Sequence, residues 1–331
     1  MTSGAAGSPV YGEAEVLEVA VPVATMWTSP DAPRDIDQPA VQDVPDAAAW
    51  TGSMDAVVRK GLVGRTLTQL LLGEPVHVLE HAGEWVRVAA LWQPSSAHPS
   101  GYPGWVRRAH LAPPVVPAAT RAVVVVPRAD AVLADGRRLQ LSFGTSLAVD
   151  DSLASATGLA HEQPVRVRVP GTADGGPERG AALAAGLRPG DVRLLSAEPH
   201  PAPAAQVVLG SAGMFLGLRY LWGGNSAWGL DCSGLVHLTY RAHGVVVPRD
   251  AFDQADLLPG VDLGAVEPGD LYFFARPGEK VYHVGFVSRP VAADGVRRML
   301  HAPEGGELIE EAPLAPHRVE TLVSAGRVQG R

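Results

Sequence analysis

The chain has 331 residues, 46% of them hydrophobic, and a net charge of −8 with no block of Lys and Arg. That length exceeds one compact core, so two or three domains are expected. The charge argues against nucleic acid or an anionic membrane as a partner, and no apolar run approaches the roughly 18 residues of a membrane helix.

The first sixteen residues, MTSGAAGSPVYGEAEV, have neither a basic start nor an apolar core and do not read as a secretion signal. The single cysteine allows no internal disulfide. A cytoplasmic location, where a thiol stays reduced, is therefore expected. After a loose tail over residues 1–12, residues 14–20 read as a strand leading into 21–27. A Pro/Asp/Ala-rich stretch over 29–53 reads as a long surface loop, and 54–72 as mixed and partly helical. Residues 75–80, 84–89 and 104–106 alternate apolar and polar between Ala-Gly and Pro-Gly signals, which predicts a small antiparallel barrel. His77 and His81 fall in that strand context, about 13 Å apart along an extended chain, and so read as surface residues instead of a metal pair. No other residues suggest a metal site or cofactor.

A proline-rich linker over 113–119 precedes a second β-rich block, about 121–197. It is expected to hold strands at 122–126, 140–143, 165–169 and 192–195, with an Ala-rich turn of helix near 181–185. No chemical constellation appears in it. A second proline-rich linker begins at Glu198, and 206–218 should form a helix.

The stretch from Arg219 to Val236 contains the only cysteine, Cys232. Gly223, Gly224 and Gly229 suit a loop requiring positive φ. From Cys232 the pattern turns helical, with Leu235, Val236 and Leu238 apolar and Gly244 as a stop signal. Asp231 is the expected N-cap, so the sulfur sits in the first turn, where helix-end N–H groups favour a thiolate. A nucleophilic thiol needs a base, and the base needs a partner to orient it. His283 lies on a predicted strand at 281–288, sharing a face with Gly285, which leaves room for a close neighbour. His301 lies on the next strand, across a hairpin loop over 289–297. Paired antiparallel, the strands would make the two histidines neighbours. Cys232 would then attack, with His283 as base and later acid and His301 orienting the ring. Pairing with His283 should lower the thiol pKa, and the Cys232 N–H would serve the oxyanion. His237 and His243 read as packing or surface. Helices first and sheet afterwards describe an α+β domain.

Six motifs in order resemble the NlpC-type family of papain-like cysteine peptidases, over about 206–331. They are Arg219-Tyr-Leu-Trp-Gly-Gly, Gly229-Leu-Asp-Cys-Ser-Gly-Leu-Val, Pro248-Arg-Asp, Pro268-Gly-Asp-Leu-Tyr-Phe-Phe, His283-Val-Gly and His301-Ala. The resemblance implies a triad of Cys232, His283 and His301. The gap between the histidines is a few residues longer than usual, and Ala251 stands where relatives usually have Ser. Val23-Ala-Thr-Met-Trp, Leu72-Gly-Glu-Pro-Val and Gly101-Tyr-Pro-Gly-Trp-Val are similar to the bacterial SH3-like domain of γ-D-glutamyl-L-diamino acid endopeptidases. That resemblance implies two SH3-like barrels, residues 13–113 and 118–197, before a peptidase domain at 206–331. It also implies an acyl-side pocket lined by Tyr220, Asp231 and Ser233, with Tyr102 and Glu74 closing over a free substrate amine. The substrate implied is a murein peptide, L-Ala-γ-D-Glu-diamino acid, met during wall-peptide recycling.

Three alternatives stay open on the sequence alone. The chain could be an extracytoplasmic hydrolase of intact peptidoglycan, a non-catalytic wall-binding module, or an amidase or acyltransferase of the same thiol chemistry. Oligomeric state and the choice between diaminopimelate and Lys are not legible.

Overall fold

The computed structural model describes residues 15–150, 163–171, 182–196, 200–304 and 307–329. The expected tail over 1–12, residues 14 and 181, and the linker residues 198–199 lie outside them. Among the described residues no helix is long and apolar enough to cross a membrane.

The first sheet holds seven strands: β1 Val16–Val19, β2 Val23–Trp27, β3 Thr66–Leu71, β4 Pro75–Ala82, β5 Trp85–Ala90, β6 Tyr102–Arg107 and β7 Leu111–Ala112. Their order is β3-β2-β6-β5-β4-β1-β7, and every pairing is antiparallel. Alternation sends Val76, Val86, Val88 and Val106 inward to join Met26, Leu70 and Tyr102 in one core. A bulge between Val78 and Glu80 breaks the strict alternation of β4. His77, before the bulge, is half-buried, whereas His81, beyond it, is exposed and pairs with Glu15 at 3.1 Å.

The stretch over 29–53 is not the surface loop its composition predicts. It folds into α1 Gln38–Val41 and α2 Ala47–Gly52, followed by α3 Ala56–Lys60. The reason is tertiary. Trp50 is buried against Trp27 with ring centroids 6.0 Å apart, and its indole N–H donates to Asp37 at 2.8 Å. Asp46 and Asp55 cap α2 and α3 through the amides of Ala49 and Val58.

The second sheet comprises β8 Thr120–Val124, β9 Arg128–Leu133, β10 Arg138–Ser142, β11 Ser146–Val149, β12 Val165–Val169, β13 Leu183–Leu187 and β14 Val192–Ser196. Residues 183–187 form a strand where an Ala-rich helical turn was expected. They lie between β12 and β9 with a continuous ladder to β12, so sheet hydrogen bonding overrides alanine's helix preference.

Beyond it come α4 Ala205–Gly213, a two-stranded ribbon of β15 Asn225–Ser226 and β16 Gly229–Leu230, α5 Cys232–Arg241 and α6 Ala251–Leu257. A six-stranded sheet follows, with β17 Gly260–Val261, β18 Leu271–Phe274, β19 His283–Val287, β20 Arg298–His301 and β21 Glu310–Pro313. Helix α7, Pro316–Thr321, then precedes β22 Leu322–Gly326, and the sheet order is β17-β22-β18-β19-β20-β21. All ten residues of α5 are buried, so it is a core helix instead of a surface amphipathic one. Leu235, Val236 and Leu238 join Val284 and Phe286 of β19, each such side chain worth about 1.5–3 kcal/mol of burial. The same core takes in Leu71 of the first sheet and Phe143 of the second. Phe143 meets Phe215 edge to face at 5.4 Å.

Candidate active site

Of the three loop glycines before Cys232, only Gly223 has positive φ, at 71°. Gly224 and Gly229 are small for a different reason: the chain crosses itself there. A Cβ on Gly224 would lie 2.5 Å from the Gly229 carbonyl oxygen. The crossing delivers Asp231 to the N-cap of α5, where its carboxylate accepts from the Gly234 amide at 2.6 Å. Cys232 is thereby held at the first helical position.

Helix α5 packs on β19, and the amide of Val284 donates to the Cys232 sulfur. The sulfur therefore sits level with the residue next to His283. Strands β19 and β20 pair antiparallel, Phe286 opposite Leu300 and Val287 opposite Met299. Continued by two residues, that register makes His283 and His301 diagonal neighbours. His283 Nε2 lies 2.9 Å from His301 Nδ1, with the rings edge to face. Gly285 is what permits this contact, because a Cβ there would lie 2.9 Å from His301 Cβ.

His283 Nδ1 is buried and has no hydrogen-bond partner. For it to accept a proton, Nε2 must carry the ring hydrogen and donate to His301 Nδ1. His301 then carries its own hydrogen on Nε2, which faces Glu310 Oε1 at 3.6 Å. Burial drives His283 well below the ordinary imidazole value, helped by the charge of Arg318 and by His301. The thiol departs from expectation. At 6% exposure, burial pushes Cys232 up to about 12, and the Asp231 carboxylate next door adds to the rise. The Val284 and Ser233 amides pull the other way and lose. Burial thus favours the uncharged form of both groups.

Cys232 opens into a pocket of about 310 Å³ shared between the first sheet and the C-terminal region. Tyr220, Asp231 and Ser233 line it, as the sequence reading expects, and Tyr102 closes it from β6. The Tyr102 hydroxyl donates to Asp250 at 3.0 Å. Burial lifts the Asp250 carboxyl above its usual range, against the neighbouring charge of Arg249. Glu74 is not brought to this pocket. It is fully buried elsewhere, accepting from Arg241 at 2.7 Å, Gln93 at 2.8 Å and the Leu71 amide at 3.1 Å. Those donors satisfy its carboxylate, which leaves nothing to offer an amine. Ala251 also lines the pocket, with no hydroxyl to present.

Two residues of this arrangement entered the sequence reading only as part of the Pro248-Arg-Asp motif, with no role assigned. Asp250 supplies the acid that Glu74 does not, and Arg249 fixes the frame. Arg249 is 1% exposed and grips Asp231 at 3.0 and 2.6 Å. Its remaining N–H groups donate to Thr68 Oγ1 at 2.7 Å, Ser233 Oγ at 3.1 Å and the Gly224 carbonyl at 3.2 Å. One side chain therefore ties β3 to the N-cap of the cysteine helix. The adjacent opposite charges after the apolar Val245–Val247 run were the available signal.

A thiol at a helix N-terminus, level with a strand histidine that contacts a second histidine, is the arrangement a cysteine hydrolase needs. Residues 217–327 match the NlpC/P60 family. The gamma-D-glutamyl-L-lysine dipeptidyl-peptidase of Bacillus cereus (strain ATCC 10987) is 32% identical, over 93% of this chain and 89% of its own. The protein of the same name from Bacillus subtilis (strain 168) is 35% identical over 87% and 90%. The crystal structure of an NlpC/P60 family protein from Bacillus cereus ATCC 10987 superposes with a TM-score of 0.81 at 29% identity, covering 95% of this chain and 99% of that one. The chain belongs to the NlpC/P60 family and is a cysteine peptidase.

Proposed function

We propose that this peptidase hydrolyses the bond between γ-D-Glu and a diamino acid in murein peptides that begin with a free L-Ala, as released during wall-peptide recycling. The observation that carries this reading is the pocket wall where the Tyr102 hydroxyl donates to the Asp250 carboxylate. A half-buried acid with an adjacent hydroxyl suits a primary ammonium. The relatives named above, whose names specify γ-D-glutamyl-L-lysine, support the same bond.

In this reading the first two sheets are SH3-like modules, residues 13–113 and 118–197, and the peptidase domain spans 206–331. The γ-D-Glu lies along Tyr220, Asp231 and Ser233. Cys232 Sγ attacks the γ-carbonyl carbon while His283 Nδ1 takes the thiol proton, so charge separates only as the C–S bond forms. The Cys232 amide, at the first helical position and without an intrahelical acceptor, receives the developing oxyanion. His283 then gives its proton to the departing nitrogen, the acyl–enzyme forms, and water activated by the same imidazole releases L-Ala-D-Glu.

The test is mass spectrometry of products from L-Ala-γ-D-Glu-diaminopimelate and from its N-acetylated form. The free peptide is expected to yield L-Ala-D-Glu, and the blocked one to persist. Equal cleavage of both rejects the amine-dependent reading in favour of a hydrolase of intact wall. Cys232→Ala should keep the fold and abolish turnover.

A further inference from the structure

Resting on the function just proposed, we infer that the cavity beside His301 receives the amine fragment released by cleavage, with Arg318 binding that fragment's α-carboxylate. The cavity measures about 400 Å³ and is lined by Tyr282, His301, Glu304 and Arg318, among others. Tyr282 also lines the Cys232 pocket, so the two spaces meet at its ring. The direction follows from the chemistry. His283 must hand its proton to the leaving nitrogen, so whatever that nitrogen carries lies on the His283 side of the sulfur.

Arg318 is 5% exposed and lies over the rings of Phe274 and Tyr282, 5.5 and 5.3 Å from their centroids. Its Nη2 faces Glu304 Oε1 at 3.6 Å, too far for a hydrogen bond. Both Arg318 Nη1 and Glu304 Oε1 are buried without any hydrogen-bond partner. A buried guanidinium with an unpartnered donor in the lining of a cavity suits a carboxylate ligand.

The reach is right for the α position. Glu304 Oε1 is 3.6 Å from His283 Nδ1 as well as from Arg318 Nη2. The base and the guanidinium therefore lie no more than two such steps apart, on either side of that oxygen. A carboxylate one carbon from the leaving nitrogen spans that interval when hydrogen-bonded at each end. The exposed carboxylates of Glu307 and Glu310 edge the same cavity and suit the side-chain ammonium of a diamino acid.

The test compares kcat/KM for L-Ala-γ-D-Glu-L-Lys with that for the matching L-lysinamide, which lacks only the carboxylate. The wild-type chain is expected to prefer the acid by about tenfold or more, the range of one hydrogen bond to a charged group. Arg318→Gln also removes a charge that acts on His283 and so shifts both rates together, but it should bring the acid-to-lysinamide ratio of kcat/KM down to about one. Equal cleavage of both by the wild type overturns the subsite alone, whether or not the variant folds. Equal slowing of both substrates by Arg318→Gln also overturns it, because a structural loss spares neither. Cleavage of neither by the wild type overturns the proposed function and the subsite with it.

Discussion

Arg249→Lys is the sharpest perturbation the site offers, because it keeps the charge and removes only the fork. The guanidinium makes five hydrogen bonds, two to Asp231 and one each to Thr68, Ser233 and the Gly224 carbonyl. An ammonium has three donors radiating from one atom, so at least two of these bonds are lost. At 1% exposure no solvent replaces them. Hydrogen bonds to charged groups are worth about 1.5–3 kcal/mol each, so the loss is about 3 kcal/mol or more. Calorimetry should register it as a fall of roughly 6–12 °C in the transition of the C-terminal region. Freed from its fork, Asp231 no longer holds the N-cap in register, and kcat/KM should drop at least about tenfold with it. Arg138→Lys is the control, since its contact with Asp130 is a 3.3 Å exposed pair worth at most about 1 kcal/mol. An Arg249→Lys enzyme that melts with the wild type and keeps its kcat/KM would refute the claim that this side chain fixes the cysteine helix to β3.

Asp250→Asn should lower kcat/KM on the free-amine peptide by about 10- to 150-fold, while the N-acetylated peptide persists with wild type and variant alike; steady-state kinetics on the free peptide and product analysis of the blocked one check this. Gly285→Ala puts a Cβ 2.9 Å from His301 Cβ and 3.0 Å from the Met299 sulfur. It should reduce kcat more than it changes KM, at about 1–3 kcal/mol of stability, measurable by pairing kinetics with thermal melts. Acid should destabilise the fold through its buried neutral imidazoles. Burial lowers His110 to about 4 and His237 to about 3, whereas the unfolded value is about 6.5. Between those values the unfolded chain binds more protons. Stability is therefore complete above about pH 7 and falls as pH drops through 6.5, by up to about 1.4 kcal/mol per unit per group. Denaturant melts from pH 7 to 4 should show this slope, and His237→Gln should make it shallower.

The candidate site was legible where a residue's role is local. Asp231 caps α5 because a short carboxylate before a helical pattern has one nearby use, and Cys232 follows it into the first turn. The hairpin carrying the two histidines was legible because period-two alternation and a Gly-containing loop set the pairing of β19 with β20. Both signals span a few residues of chain, within reach of propensity and spacing.

What tertiary structure decided involves partners distant in sequence. Glu74 looks like a free turn acid until Arg241, 167 residues away, closes on it. Asp250 gains its meaning only when Tyr102 arrives from the first sheet, 148 residues earlier. The 29–53 segment folds because Trp27 offers Trp50 a buried surface, and residues 183–187 extend because strands wait on both sides. The thiol shows the same division. Sequence placed it at a helix end that favours the anion, but the surrounding fold removed the water, and burial with the Asp231 charge pushes the thiol the other way. Short-range patterning set the chemistry of each element, and long-range burial and charge decided which groups remain free to react.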